Sequence, residues 1–147
     1  MNYDIKSEIE QIIETNIDAA KGYEKAAEKL NDSELSTIFN RLAQQRKQFN
    51  EEIINELRPL GVTPETSGTT KGYFHRTWMD VSTAFSGNKD EQIIDESITG
   101  ESTSLERYDE IIKKEILPQP VQERVANQKS FIYGAIDQLK EFKQSVN

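Results

Sequence analysis

The chain has 147 residues, a formal net charge of −8 and no cysteine. That length suits one domain with one core, and the missing thiols exclude disulfides, thiolate metal sites, iron–sulfur ligation and cysteine catalysis. The acidic surface repels phosphates and anionic lipid headgroups, so neither nucleic acid nor a membrane is an expected partner.

The start of the chain, Met1-Asn2-Tyr3-Asp4-Ile5, is polar and soon acidic. No basic stretch precedes an apolar one, so no secretory signal is read, and a cytoplasmic location is the expectation. No apolar run approaches the ~20 residues needed to span a bilayer. From there Ile5, Ile9, Ile12, Ile13, Ala19, Ala20, Tyr23, Ala26, Ala27 and Leu30 recur at three- and four-residue spacings, which predicts a helix over 3–30. Asn31-Asp32-Ser33 breaks it, with Asp32 placed to cap a second helix and Glu34 in that helix's first turn. The second predicted helix covers 33–60. Its stripe is Leu35, Ile38, Phe39, Leu42, Phe49, Ile53, Leu57 and Leu60, and Pro59 and Gly61 lie at its end.

The stretch 62–88 is too long for a plain loop in a compact domain. Its first part, Thr63 to Thr70, reads as extended chain. Its second predicts a short amphipathic helix over 73–85, with Phe74, Trp78, Val81 and Phe85 on one face. A third long helix is predicted over 90–117 from Ile94, Ile98, Leu105, Tyr108, Ile111 and Ile112. Pro118-Gln119-Pro120 breaks the chain, and Pro120 suits the first turn of a fourth helix over 120–145. That helix carries Val121, Val125, Phe131, Ile132, Ala135, Ile136, Leu139 and Phe142. No β-type alternation of useful length occurs. The predicted fold is all-α: one domain, 1–147, built as a ferritin-like four-helix bundle of two antiparallel hairpins joined by a long crossover.

Four polar residues interrupt the apolar stripes at their centres: Asn16, Arg46, Glu101 and Gln128, one on each long helix. Counting residues from the turns places Asn16, Arg46 and Glu101 at one mid-bundle level, with Gln128 a turn or more lower. A lone buried charge is very costly, so Arg46 and Glu101 are expected to pair. The layer fits a ligand or metal site. It also fits a buried ion pair that sets helix register, which is the simpler of the two. Gly100 beside Glu101 removes a side chain where a neighbour could approach, and Gly22 and Gly134 could act likewise.

Several segments together resemble a known family. They are Glu14-Thr15-Asn16-Ile17-Asp18-Ala19-Ala20-Lys21-Gly22-Tyr23 with Ala26-Ala27, Arg46-Lys47-Gln48-Phe49, and Leu60-Gly61 through Pro64, Gly68 and Gly72 to His75-Arg76-Thr77-Trp78. Gly100-Glu101 with Tyr108 completes the set. The chain is similar, from about Ile9 to Phe142, to a bacterial family of ferritin-like four-helix-bundle proteins described only as a domain of unknown function. Ala20 stands where that family pattern implies glycine. The resemblance implies the fold and brings no activity, substrate or catalytic residue with it.

Ferritin-like bundles often hold two metal ions on a Glu from each of two helices and a Glu-x-x-His pair from each of the others. This chain has one histidine, His75, in the crossover, and no Glu-x-x-His. Arg46 puts a cation at the level where iron would sit. The standard di-iron site is therefore excluded, and no cofactor is expected. A non-standard oxygen site could still draw on Glu14, Asp18, Glu52, Glu56 and Glu101, although most of these fall on the solvated flank of their helices. Such donors suit magnesium, calcium or manganese better than zinc. The crossover patch His75, Arg76 and Trp78 reads either as an anion-recognition surface or as the anchor of the crossover. No nucleophile has a histidine base on a known motif, and no Gly-rich phosphate loop is present.

Three functions remain. The first is a non-enzymatic interaction or stress-associated protein that binds itself or another protein, with Ile17, Ile54 and Tyr133 feeding an exposed apolar seam. The second is a metal-binding relative of the ferritins with a non-standard carboxylate site. The third is a small-ligand binder using the mid-bundle layer, which requires a mid-bundle cavity.

Overall fold

The computed structural model describes residues 3–66 and 89–146. Four long helices carry the fold: α1 Tyr3–Lys29, α2 Ser33–Leu57, α3 Asp90–Lys113 and α4 Gln119–Ser145. Among the described residues there is no strand. Nor is any described helix long and apolar enough to cross a membrane.

The local chemistry sets most of the ends. The Asp32 carboxylate accepts from the amides of Glu34, at 2.9 Å, and Leu35, at 3.2 Å, and so caps α2. At the far end of α2, Arg58–Leu60 tightens into a 3₁₀ turn, with Pro59 in its first turn. Gly61 follows with φ +70°, a left-handed conformation that glycine adopts without steric cost. The α-helix therefore stops three residues short of the predicted end, and Leu60, expected in the stripe, is 46% exposed. α3 also ends early, at Lys113 instead of 117. Glu115 takes φ 53°, which turns the chain so that Leu117 folds back into the core. Pro120 lies in the first turn of α4, where its missing N–H leaves no helical bond unmade.

The cross-helix bonds fix the directions. Asn16 meets Arg46 on α2 and Tyr108 on α3. Asp90 opens α3 beside the α1–α2 turn, accepting from the amides of Asn31, at 2.8 Å, and Asp32, at 3.0 Å. At the opposite end Lys114 reaches Glu8 at 2.6 Å. α1 is thus antiparallel to both α2 and α3. The pairs Arg124–Glu56 and Lys129–Asp109 make α4 antiparallel to α2 and α3 in turn. α2 and α3 lie across the bundle from each other and run the same way. Residues 61 and 89 therefore stand at opposite ends, separated by roughly a helix length, about 35 Å. The chain between them has that distance to cover, and its residues 67–88 lie outside the described residues.

The core divides in two. Nearest the α1–α2 turn, Ala19, Ala20, Ala26, Ala27 and Ala43 share the core with Leu30, Leu35, Ile93, Ile94 and Leu139 around Tyr23 and Phe39, whose rings meet edge to face at 5.7 Å. The other half is bulkier: Ile9, Ile12, Ile13, Phe49, Ile53, Ile111, Val121, Val125 and Ile132. Between the halves lies a layer of polar side chains. Phe131, expected in the α4 stripe, is 51% exposed instead, and its ring leans on Phe49 at 6.2 Å.

Candidate functional site

All four polar residues singled out at the stripe centres are buried, each at most 1% exposed. They belong to one hydrogen-bonded network. The Arg46 guanidinium pairs through Nη1 with Glu101 Oε1, and its Nε donates to Asn16 Oδ1 at 2.7 Å. The other Glu101 oxygen accepts the Tyr23 hydroxyl. Asn16 Nδ2 donates to Tyr108 Oη at 2.8 Å and to Asn50 Oδ1 at 2.9 Å. Tyr108 then donates to Gln128 Oε1 at 2.7 Å. Gln128 Nε2 donates to the Phe49 carbonyl and to Glu52 Oε1, both at 3.0 Å. Asn50 Nδ2 closes the side branch on the Ile13 carbonyl at 3.0 Å.

This order assigns every amide. Asn16 must present its oxygen to Arg46, because Arg46 can only donate. Its NH₂ is then left for Tyr108, so the Tyr108 proton goes to Gln128. One cation thus sets donor and acceptor sense from α2 to α4. Within this network, Arg46 Nη2 is the buried polar atom without a hydrogen-bond partner among the described residues. Its guanidinium carbon lies 6.0 Å from the centroid of the Phe49 ring, a cation–π distance that offsets part of that loss.

The electrostatics match this closed arrangement. Burial pulls the Arg46 pKa down, but the Glu101 charge and the two tyrosines outweigh it and hold the group above its ordinary value. Burial, then the Glu101 charge, pushes the Tyr23 phenol well above its usual range. Burial likewise raises Tyr108. Both phenols stay protonated in the fold at a pH where an unfolded chain has begun to lose those protons, near 10. The folded state then binds more protons than the unfolded one, so stability is fully present below about pH 10 and falls as the pH rises above it. The expected slope approaches about 1.4 kcal/mol per pH unit for each phenol. In urea titrations read at 295 nm, these two tyrosines should ionise together with unfolding. Ionisation of both near pH 10 in an intact bundle would contradict their burial.

The weaker candidates separate into two groups. Glu52 accepts from Gln128, Glu56 from Arg124 at 3.2 Å, and Glu101 from Arg46 and Tyr23. Each is engaged by a donor from a neighbouring helix. Glu14 and Asp18 were expected on a solvated flank, two residues either side of Asn16 and so on the opposite side of α1. Instead they are 5% and 4% exposed. Among the described residues, no group of three or more His, Cys, Asp or Glu side chains is placed to hold a metal ion. His75, Arg76, Trp78 and the predicted helix 73–85 lie outside the described residues.

Three members of the network escape the periodicity argument. Tyr23 and Tyr108 count as apolar on a helical wheel, although a buried tyrosine hydroxyl needs a partner. Asn50 lies four residues after Arg46, on the same face of α2, and that spacing was the available signal.

The fold and this layer define an all-helical four-helix bundle with a polar belt through its core. A family profile described as a domain of unknown function (DUF2383) matches residues 4–114, and the chain belongs to that family. The match stops short of the 142 expected from the resemblance, leaving α4 outside it. No curated protein and no solved structure matches the chain.

Proposed function

We propose that this chain is a ferritin-like bundle that works by binding another protein, with a central layer that serves the fold instead of a reaction. The observation that carries this reading is the Arg46–Glu101 pair. It lies in the bundle core, the region from which ferritin-like bundles draw metal ligands on facing helices, and it puts a cation beside the Glu oxygens, which are already engaged. Every carboxylate, amide and hydroxyl of the layer is satisfied by another protein group. Such a layer specifies helix register and leaves little free donor or acceptor capacity for a substrate.

Interaction is then left to the outer surface. Affinity capture with the full chain from cells that express it, followed by sedimentation equilibrium of the purified protein, tests the reading. Recovery of a protein in near-stoichiometric amount is the expected result. A chain that stays monomeric at high concentration and recovers nothing would overturn it.

A further inference from the structure

We infer that the outward face of α4 is the docking surface, and that its occupant is a basic amphipathic helix of another protein. This rests on the interaction reading above and names the surface and the partner's chemistry.

On α4, the exposed positions between Glu123–Arg124 and Asp137 are Ala126, Asn127, Ser130, Phe131, Tyr133 and Gly134, none of them charged. In a chain with 30% charged residues, that is a long interval on one helix face with a single charge, the half-buried Lys129, at its edge. It also holds two large apolar side chains in the open, Phe131 at 51% and Tyr133 at 60% exposed. Phe131 is held against Phe49. Beside Tyr133 runs a groove of about 410 Å³ between α3 and α4, lined by Ile112, Ala126, Lys129 and Ser130.

Gly134 supplies an independent observation. A Cβ built there meets nothing within 4 Å, so no contact described within this chain requires glycine. A mid-helix glycine nonetheless costs helix propensity. Ala126, Ser130 and Gly134, four residues apart, form one line along the helix. Over that line a second backbone can come close, with Phe131 and Tyr133 standing on either side.

Charge identifies the occupant. Glu123 and Asp137 lie about two turns to either side of Ser130, and Glu141 lies a turn beyond. Of the cations on α4, Arg124 is taken by Glu56 at 3.2 Å, Lys129 by Asp109 at 2.5 Å and Lys143 by Asp95 at 2.8 Å, which leaves exposed Lys140 against the two acids Asp137 and Glu141 at that end and Glu123 at the other. The complement is a helix with an apolar centre and Lys or Arg about two turns to each side. A second copy of this chain fits less well. Antiparallel pairing about Ser130 would set Glu123 of one copy against Asp137 of the other, between two molecules that each carry −8.

The probe is a synthetic helical peptide of about 20 residues, with a Leu–Ala face and lysines at both ends. Its control carries glutamates in place of the lysines. Each is titrated by fluorescence anisotropy against the full chain, and thermal melts confirm that the variants fold like wild type. The lysine peptide should bind, the glutamate peptide should not, and Ser130→Arg should weaken binding by at least about tenfold. Reversing both end charges, Glu123→Lys with Asp137→Lys, should transfer the preference to the glutamate peptide. Equal binding by wild type and Ser130→Arg, or no binding of either peptide, overturns the assignment. So does a concentration-dependent dimer that Ser130→Arg abolishes, which would give the face to a second copy. If Ser130→Arg still captures the cellular partner, the surface is wrong and the interaction reading stands. If wild type captures none, that reading itself fails.

Discussion

Arg46→Ala is expected to destabilise the bundle by about 3–5 kcal/mol, the cost of leaving a buried charge without its partner. Glu101 is 1% exposed and would keep only the Tyr23 hydroxyl. Asn16 Oδ1 would lose its donor as well, and the volume of a large, fully buried side chain would be left open. Removing both charges should be far milder. Arg46→Met with Glu101→Leu, together with Tyr23→Phe to remove the hydroxyl left behind, replaces the pair by apolar groups of similar size and leaves the lost donor to Asn16 Oδ1 as the remaining cost. Buried ion pairs often give way to such replacements at little cost. Urea denaturation of the wild type, the single and the combined variant separates the cases. A single mutant that unfolds at the wild-type midpoint would show that Arg46 and Glu101 are not a buried pair in solution.

Asn16→Ala is the second large effect, at about 2–4 kcal/mol, from several polar groups losing partners at one time. Arg46 Nε loses its acceptor, and Tyr108 and Asn50 lose a donor. Tyr108→Phe, by contrast, removes a hydroxyl and leaves the Asn16–Arg46 bond in place. The two substitutions touch the same chain of bonds, so their effects should not add, and a coupling of at least about 0.5 kcal/mol is expected in the double-mutant cycle. An Asn16→Ala cost inside about 0.5 kcal/mol would mean that the network does not depend on its central amide.

The four long helices could be read from apolar periodicity and their antiparallel neighbours from the short turns between them, because those features follow from which face is buried and how little chain joins the elements. Asn16, Arg46, Glu101 and Gln128 were legible for the same reason: a polar residue at the centre of an apolar stripe must meet another one. What could not be read depends on geometry that periodicity does not carry. Tyr23 and Tyr108 looked like core residues, and their rings are core, but their hydroxyls link the layer. The end of α3 depends on a left-handed Glu115, a conformation with no sequence mark comparable to Gly61. Glu14 and Asp18 read as solvated because a wheel knows only the main stripe, yet both are buried. Phe131 illustrates the reverse case, an apolar residue at the margin of a stripe and half in solvent. Gly134, where a close neighbour was expected, is exposed and has none among the described residues.

The most direct test of the central layer is elemental analysis, by plasma mass spectrometry, of the full chain purified without added metal. A belt closed by Arg46, Asn16 and the two tyrosines should carry manganese or iron at well below one atom per chain, and adding either metal should leave the melting temperature unchanged. Stoichiometric metal that raises the melting temperature would contradict a purely structural layer and would require Glu101 to leave Arg46 for a cation.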